Sequence, residues 1–116
     1  MASSSVSEPS LFKVAEGRPW ETVAEGVRRQ VLTHDANTML VRVAFDQGGI
    51  GARHQHVHVQ LTYVESGVFT VNIGDQTQVL RAGDSCYMPS NVWHGVECLE
   101  AGALLDVFSP ARTEFL

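Results

Sequence analysis

The sequence predicts an all-β sandwich or barrel, and three observations carry that expectation. Roughly nine or ten short runs alternate in side-chain character, the mark of strands with one buried face. Glycine, proline and asparagine punctuate these runs at short intervals, as the turns of sandwiches and barrels require. No long stripe of 3.6-residue period competes with them.

In chain order, residues 1–10 form a polar leader expected to be flexible, and Leu11-Phe12-Lys13-Val14 reads as a short edge strand, suited to being lent to a partner subunit. Gly17-Arg18-Pro19-Trp20 is a turn. Val23 to Leu32 reads as one strand, in which Val27, Arg29 and Val31 alternate with Arg28, Gln30 and Leu32. A turn at His34 to Asn37 precedes Thr38 to Asp46, where Met39, Val41, Val43 and Phe45 oppose Leu40, Arg42 and Ala44. Glycines 48, 49 and 51 break that run before His54 to Gln60, read as a strand that passes into Leu61 to Glu65. Ser66-Gly67 reads as a turn, and Gly74-Asp75 is a two-residue hairpin signal between Val68–Ile73 and Gln76–Arg81. Ser85 to Met88, Val92 to Leu99 and Ala103 to Phe108 complete the strands, and Pro110 to Glu114 adds a helical turn.

A chain of 116 residues that is 44% hydrophobic suits one domain, here 1–116, with a single core. The net charge of −5 argues against a nucleic-acid or anionic-membrane partner, since both select basic patches. No run approaches a membrane span, and the leader lacks a basic and an apolar region, so it does not read as a secretory signal. Cys86 and Cys98 make no disulfide framework, and Cys86 is expected to be a small buried hydrophobe. These features suggest the cytoplasm.

The chemistry concentrates in His54-Gln55-His56-Val57-His58-Val59-Gln60, which holds three of the five histidines. On an extended strand, His54, His56, His58 and Gln60 would share one face. Paired imidazoles on a rigid element are a metal-ligand pattern. His54 and His56 are the expected pair, His94 after the Pro89-Ser90-Asn91 turn the third imidazole, and Gln60 a fourth, oxygen donor, with His58 its competitor. Zinc, nickel, iron, manganese and copper all suit such a divalent site.

These intervals resemble the two motifs of the cupin superfamily. The first appears as Gly48, His54, His56, Gln60 and Gly67, with Gln60 at the position of an acidic ligand. The second appears as Gly83, Pro89, Asn91, His94 and Cys98, with Asn91 in place of a turn glycine that a left-handed asparagine can replace. The resemblance implies a cupin double-stranded β-helix, a conical jelly-roll barrel of the small single-domain, RmlC-like kind. It also implies a metal at the wide mouth, bound by His54, His56, Gln60 and His94.

The combination of His-x-His-x3-Gln, Tyr63-Val-Glu-Ser-Gly67 and Asp106-Val-Phe108-Ser-Pro110-Ala-Arg112 further resembles KdgF-type cupins of pectin and alginate breakdown. Those convert 4,5-unsaturated monouronates to the linear 5-keto-4-deoxyuronate. The resemblance implies Asp106 for proton transfer, Arg112 for the substrate carboxylate and Phe108 against the sugar ring. It implies a small acidic sugar as partner, while a homodimer would cover the exposed strand edges. Two other classes fit the same residues: an iron-dependent cupin dioxygenase, and a non-catalytic module for a small acid or sugar.

Overall fold

Two long strands form the spine of the fold, because β5 (Val59–Ile73) and β8 (His94–Ser109) pair with each other along nearly their whole lengths. The structure, a computed structural model, describes residues 10–116, so the leader expectation for residues 1–9 lies outside the described residues. The remaining strands are β1 (Glu21–Ala24), β2 (Val27–His34), β3 (Met39–Phe45), β4 (Ile50–His54), β6 (Gln76–Arg81) and β7 (Ser85–Met88). All pairings are antiparallel, in the order β1-β2-β3-β8-β5-β6, with β4 added to β8 and β7 to β5. This is the jelly roll that the sequence predicts, left open rather than closed, with β1 and β6 at the two ends of the path. Among the described residues, no helix is long and apolar enough to cross a membrane.

Among the described residues, eight strands replace the expected nine or ten, because several expected breaks are bulges or extensions. Ser66-Gly67 does not turn the chain; β5 runs on through register shifts there. Gly67 has φ +85°, and a Cβ on it would meet the Glu100 carbonyl at 2.6 Å, so the bulge requires glycine. The expected strands Val92–Leu99 and Ala103–Phe108 are likewise one strand, β8. Conversely, Val23 to Leu32 is not one strand. It folds into the β1–β2 hairpin around Gly26, which adopts φ +72°.

Two further expectations also change. Leu11 to Val14 forms no strand within this chain, and Leu11 and Phe12 are 86% and 85% exposed. Cys98 is the buried cysteine, at 1% exposure, whereas Cys86 is half-buried and pairs as part of β7.

Inward positions on β5 and β8 obey the two-residue period. On one half, Gln60 and Thr62 face in beside Phe108 and Asp106, their direct cross-strand partners. Further along, Val64 pairs with Leu104 and Phe69 with Cys98, all buried. Phe69 meets Phe45 edge to face with centroids 5.2 Å apart. The apolar core therefore fills one end, and the polar row opens toward the other.

Candidate functional site

The histidine stretch is not the single strand face that its alternation suggests. β4 ends at His54, residues 55–58 form a connection, and β5 begins at Val59. The turn Pro89 to Asn91 clamps this connection, because the Asn91 N–H donates to the His56 carbonyl at 2.8 Å. Asn91 holds φ +60°, the left-handed conformation expected of it. His94 follows at the start of β8 and pairs in register with His54.

These three segments bring His54, His56 and His94 together. One ring nitrogen from each lies within 4.8 Å of the others, and ring centroids are 4.8 to 5.1 Å apart. Second hydrogen bonds set the tautomers. His56 Nδ1 donates to the His58 carbonyl at 2.9 Å, and His94 Nδ1 donates to the Val92 carbonyl at 3.1 Å. In the neutral rings, Nε2 of each is then a lone-pair atom. Nε2 of His94 is buried without a hydrogen-bond partner, as a waiting ligand would be. Burial pushes the His94 imidazole down to about 4, outweighing the raising effect of the Val92 carbonyl, and so favours the uncharged ring. Burial also lowers His54, with the neighbouring His56 and Arg112 adding to the effect.

Gln60 Oε1 lies 3.2 Å from His56 Nε2, so two lone-pair atoms face each other. A cation resolves that opposition. With three imidazoles and a carboxamide oxygen, the donor set fits a divalent transition metal ion. His58 stands apart from the triad: its ring centroid is 5.4 Å from that of His56, and its backbone carbonyl orients the His56 ring.

The expected C-terminal residues reach the same cavity, whose volume is about 310 Å³ and whose walls include His54, His94, Gln60, Asp106, Phe108 and Arg112. Asp106 is buried, and its Oδ1 accepts from the Thr62 hydroxyl at 2.7 Å. Burial raises its carboxyl to about 6, opposed by hydrogen bonds from Thr62 and Gln60 and by Arg112. Beyond the cis Ser109–Pro110 peptide, Ala111 and Arg112 are both buried. The Arg112 guanidinium stacks on Phe108 and Phe115 at 5.1 and 4.6 Å, and its Nε donates to Glu114 at 2.7 Å.

Sequence reasoning missed Thr62, Arg29 and Phe115. Thr62 had a faint signal, being polar and two residues beyond Gln60 on the same strand face. Arg29 and Phe115 had none, because their encounter, 3.7 Å from guanidinium carbon to ring centroid, joins β2 to the short 3-10 helix Thr113–Phe115.

Fold and cluster together define a jelly-roll β protein with a histidine triad able to bind a metal ion. The chain belongs to the cupin family, whose Cupin domain matches residues 41–108. Within that family it is of the KdgF type. It is 41% identical over 107 residues to the pectin degradation protein KdgF of Dickeya dadantii, covering 90% of this chain and 97% of that one. An RmlC-like cupin from Shewanella frigidimarina superposes with a TM-score of 0.90 at 40% identity, covering 93% of this chain and 98% of that one. KdgF from Halomonas sp. superposes with a TM-score of 0.87 at 34% identity, covering 90% and 99%. Oxalate decarboxylase of Bacillus subtilis shares the fold alone, at 23% identity and a TM-score of 0.75 over 85% of this chain and 29% of that one.

Proposed function

We propose that this protein is an enzyme of uronate catabolism that opens the ring of 4,5-unsaturated monouronates to give the linear 5-keto-4-deoxyuronate. The observation that carries the reading is one cavity lined by His54 and His94 of the imidazole triad together with Gln60 and the buried Asp106 and Arg112. The 41% identity to a relative named for pectin degradation supports the substrate class.

The substrate is a cyclic hemiacetal bearing an enol ether and a carboxylate. Its anomeric O–H loses a proton, the C1 carbonyl forms, and the C1–ring oxygen bond breaks toward an enolate. Protonation at C4 then completes a net isomerisation, so no oxidant is consumed. Asp106 moves the proton, through the carboxylate oxygen that Thr62 does not engage. Arg112 is held at Nε by Glu114, which leaves its terminal NH2 groups for a bidentate grip on the substrate carboxylate. Phe108, under that guanidinium, packs against the ring. His54, His56, His94 and Gln60 would hold a divalent ion, which when bound would supply Lewis-acid polarisation of oxygen. A redox-inactive ion such as zinc serves as well as nickel, iron or manganese.

The test follows loss of the ring enol-ether absorbance of unsaturated galacturonate, with and without dioxygen. Turnover that is independent of oxygen and lost in Asp106→Ala is expected. Buffer-level rates for the wild type, or oxygen uptake with turnover, would refute the reading in favour of a binding module or a dioxygenase.

We assign the working form as a cytoplasmic homodimer. The outer face of β5 and β7 exposes Leu61, Tyr63 and Tyr87 at 50%, 47% and 55%, an apolar surface suited to a second copy. Light scattering of the wild type and Tyr87→Glu checks this: a dimer weight that falls in the variant is expected.

A further inference from the structure

We propose that Thr62 is a positioning residue that decides which atom of the Gln60 amide faces the imidazole triad. The proposal rests on the metal site described above. Thr62 is 1% exposed, lies near the start of β5, and its hydroxyl bonds to Gln60 and Asp106 rather than to the triad. Its hydroxyl stands between two groups with fixed demands: Gln60 Nε2 donates to Thr62 Oγ1 at 3.0 Å, and Thr62 Oγ1 donates to Asp106 Oδ1 at 2.7 Å. An ionised carboxylate only accepts, so Asp106 claims the hydroxyl proton. The hydroxyl can then offer Gln60 only a lone pair. Such an acceptor selects the NH2 end of the amide, which turns Oε1 toward His56 Nε2.

The opposite amide orientation has its own attraction. With Nε2–H toward His56, the amide would donate to the imidazole lone pair and occupy the position needed by an ion. The Thr62 hydroxyl would then have to give its proton to Gln60 Oε1, and the buried Asp106 carboxylate would lose the donors that Thr62 and the Gln60 amide supply. The Thr62–Asp106 bond therefore keeps a carbonyl oxygen, rather than an amide N–H, pointed at the metal site. Thr62 also couples the two parts of the cavity: one hydroxyl orders both the oxygen donor and the carboxylate.

The test uses the full chain stripped of metal and titrated with Co2+, whose visible absorption reports its ligand set. Thr62→Val keeps the side-chain volume and removes the hydroxyl. It should weaken Co2+ binding by about tenfold or more, the usual scale for a partner that orients a metal ligand. The Co2+ spectrum of Thr62→Val should shift toward that of Gln60→Ala, and Thr62→Ser should restore both affinity and spectrum. Thr62→Ala gives the same readouts where the valine variant does not fold. In turnover, Thr62→Val should lower kcat more than it changes KM, with rescue by Thr62→Ser. Wild-type Co2+ affinity and spectrum in the valine or alanine variant would overturn the proposal. Failure of the wild type to turn over a uronate would sink the functional reading, while the Co2+ arm would still decide the role of Thr62.

Discussion

The two halves of β5 and β8 share one backbone ladder and differ in what their inward side chains demand. At the apolar end, Val64, Phe69 and Val71 meet Leu104 and Cys98, and the contribution of each scales with area removed from water. At the polar end, Gln60, Thr62 and Asp106 face in from the same two strands, linked by directed hydrogen bonds. A mispaired apolar contact loses part of its value, whereas a buried polar group without a partner costs about 1–3 kcal/mol. The polar end is thus the less forgiving, and it is where substrate and ion are proposed to bind. Stability and chemistry are separated along single strands rather than between domains.

The sharpest break of that comparison is Asp106→Ala. Loss of the group proposed to move the proton should lower kcat by about 10²–10⁴-fold, the usual worth of general acid–base catalysis. Enol-ether absorbance checks it, and a rate within tenfold of the wild type would remove Asp106 from the mechanism. At the other end, Phe69→Ala should cost about 3–5 kcal/mol in urea unfolding, because Phe69 is fully buried against Phe45. Its kcat, measured well below the melt, should stay within a few-fold of the wild type. A large kcat effect would mean that the two ends are mechanically coupled.

How much of this was legible in the sequence follows the same division. The apolar half was readable because alternation at Met39, Val41, Val43 and Phe45 reports burial directly, and β3 forms where expected. Ser66-Gly67 was misread because a positive-φ glycine serves a bulge as well as a turn, and only the β8 partner decides between them. At the site, His54, His56, His94 and Gln60 do lie side by side, but the single strand face expected of the histidine stretch is not what brings them there. Their convergence comes from a broken strand and the clamp at Asn91, not from one strand face. The order of the Gln60–Thr62–Asp106 chain was invisible, since it depends on pairing between residues 44 positions apart.

A smaller effect should follow removal of the ion. The triad joins the end of β4, the 55–58 connection and the start of β8, so a bound ion would staple the polar end alone. Linkage gives about 2.7 kcal/mol of apparent stability at a free-ion concentration 100-fold above Kd. Chelation should therefore lower Tm of the wild type but not of His94→Ala. Hydrogen exchange should quicken at the amides of residues 52–58 and 91–95, with β6 and the Phe69 region unchanged. Uniform quickening over both ends would show that the ion supports the whole fold.

The smallest predicted effect concerns Asn91, whose left-handed backbone holds the clamp on His56. The clamp uses the backbone N–H, so the side chain matters only through the φ it tolerates. Asn91→Gly should therefore shift stability by less than about 1 kcal/mol and leave Co2+ affinity within a few-fold of the wild type. Asn91→Val places a β-branched residue where φ is +60°, at a cost on the order of 1–3 kcal/mol. That strain should appear first as weaker Co2+ binding, because the turn that would relax it supplies the N–H that holds the His56 carbonyl. If Asn91→Val loses stability yet binds Co2+ as the wild type does, the clamp does not position the triad. Strand pairing between His54 and His94 would then suffice to hold it.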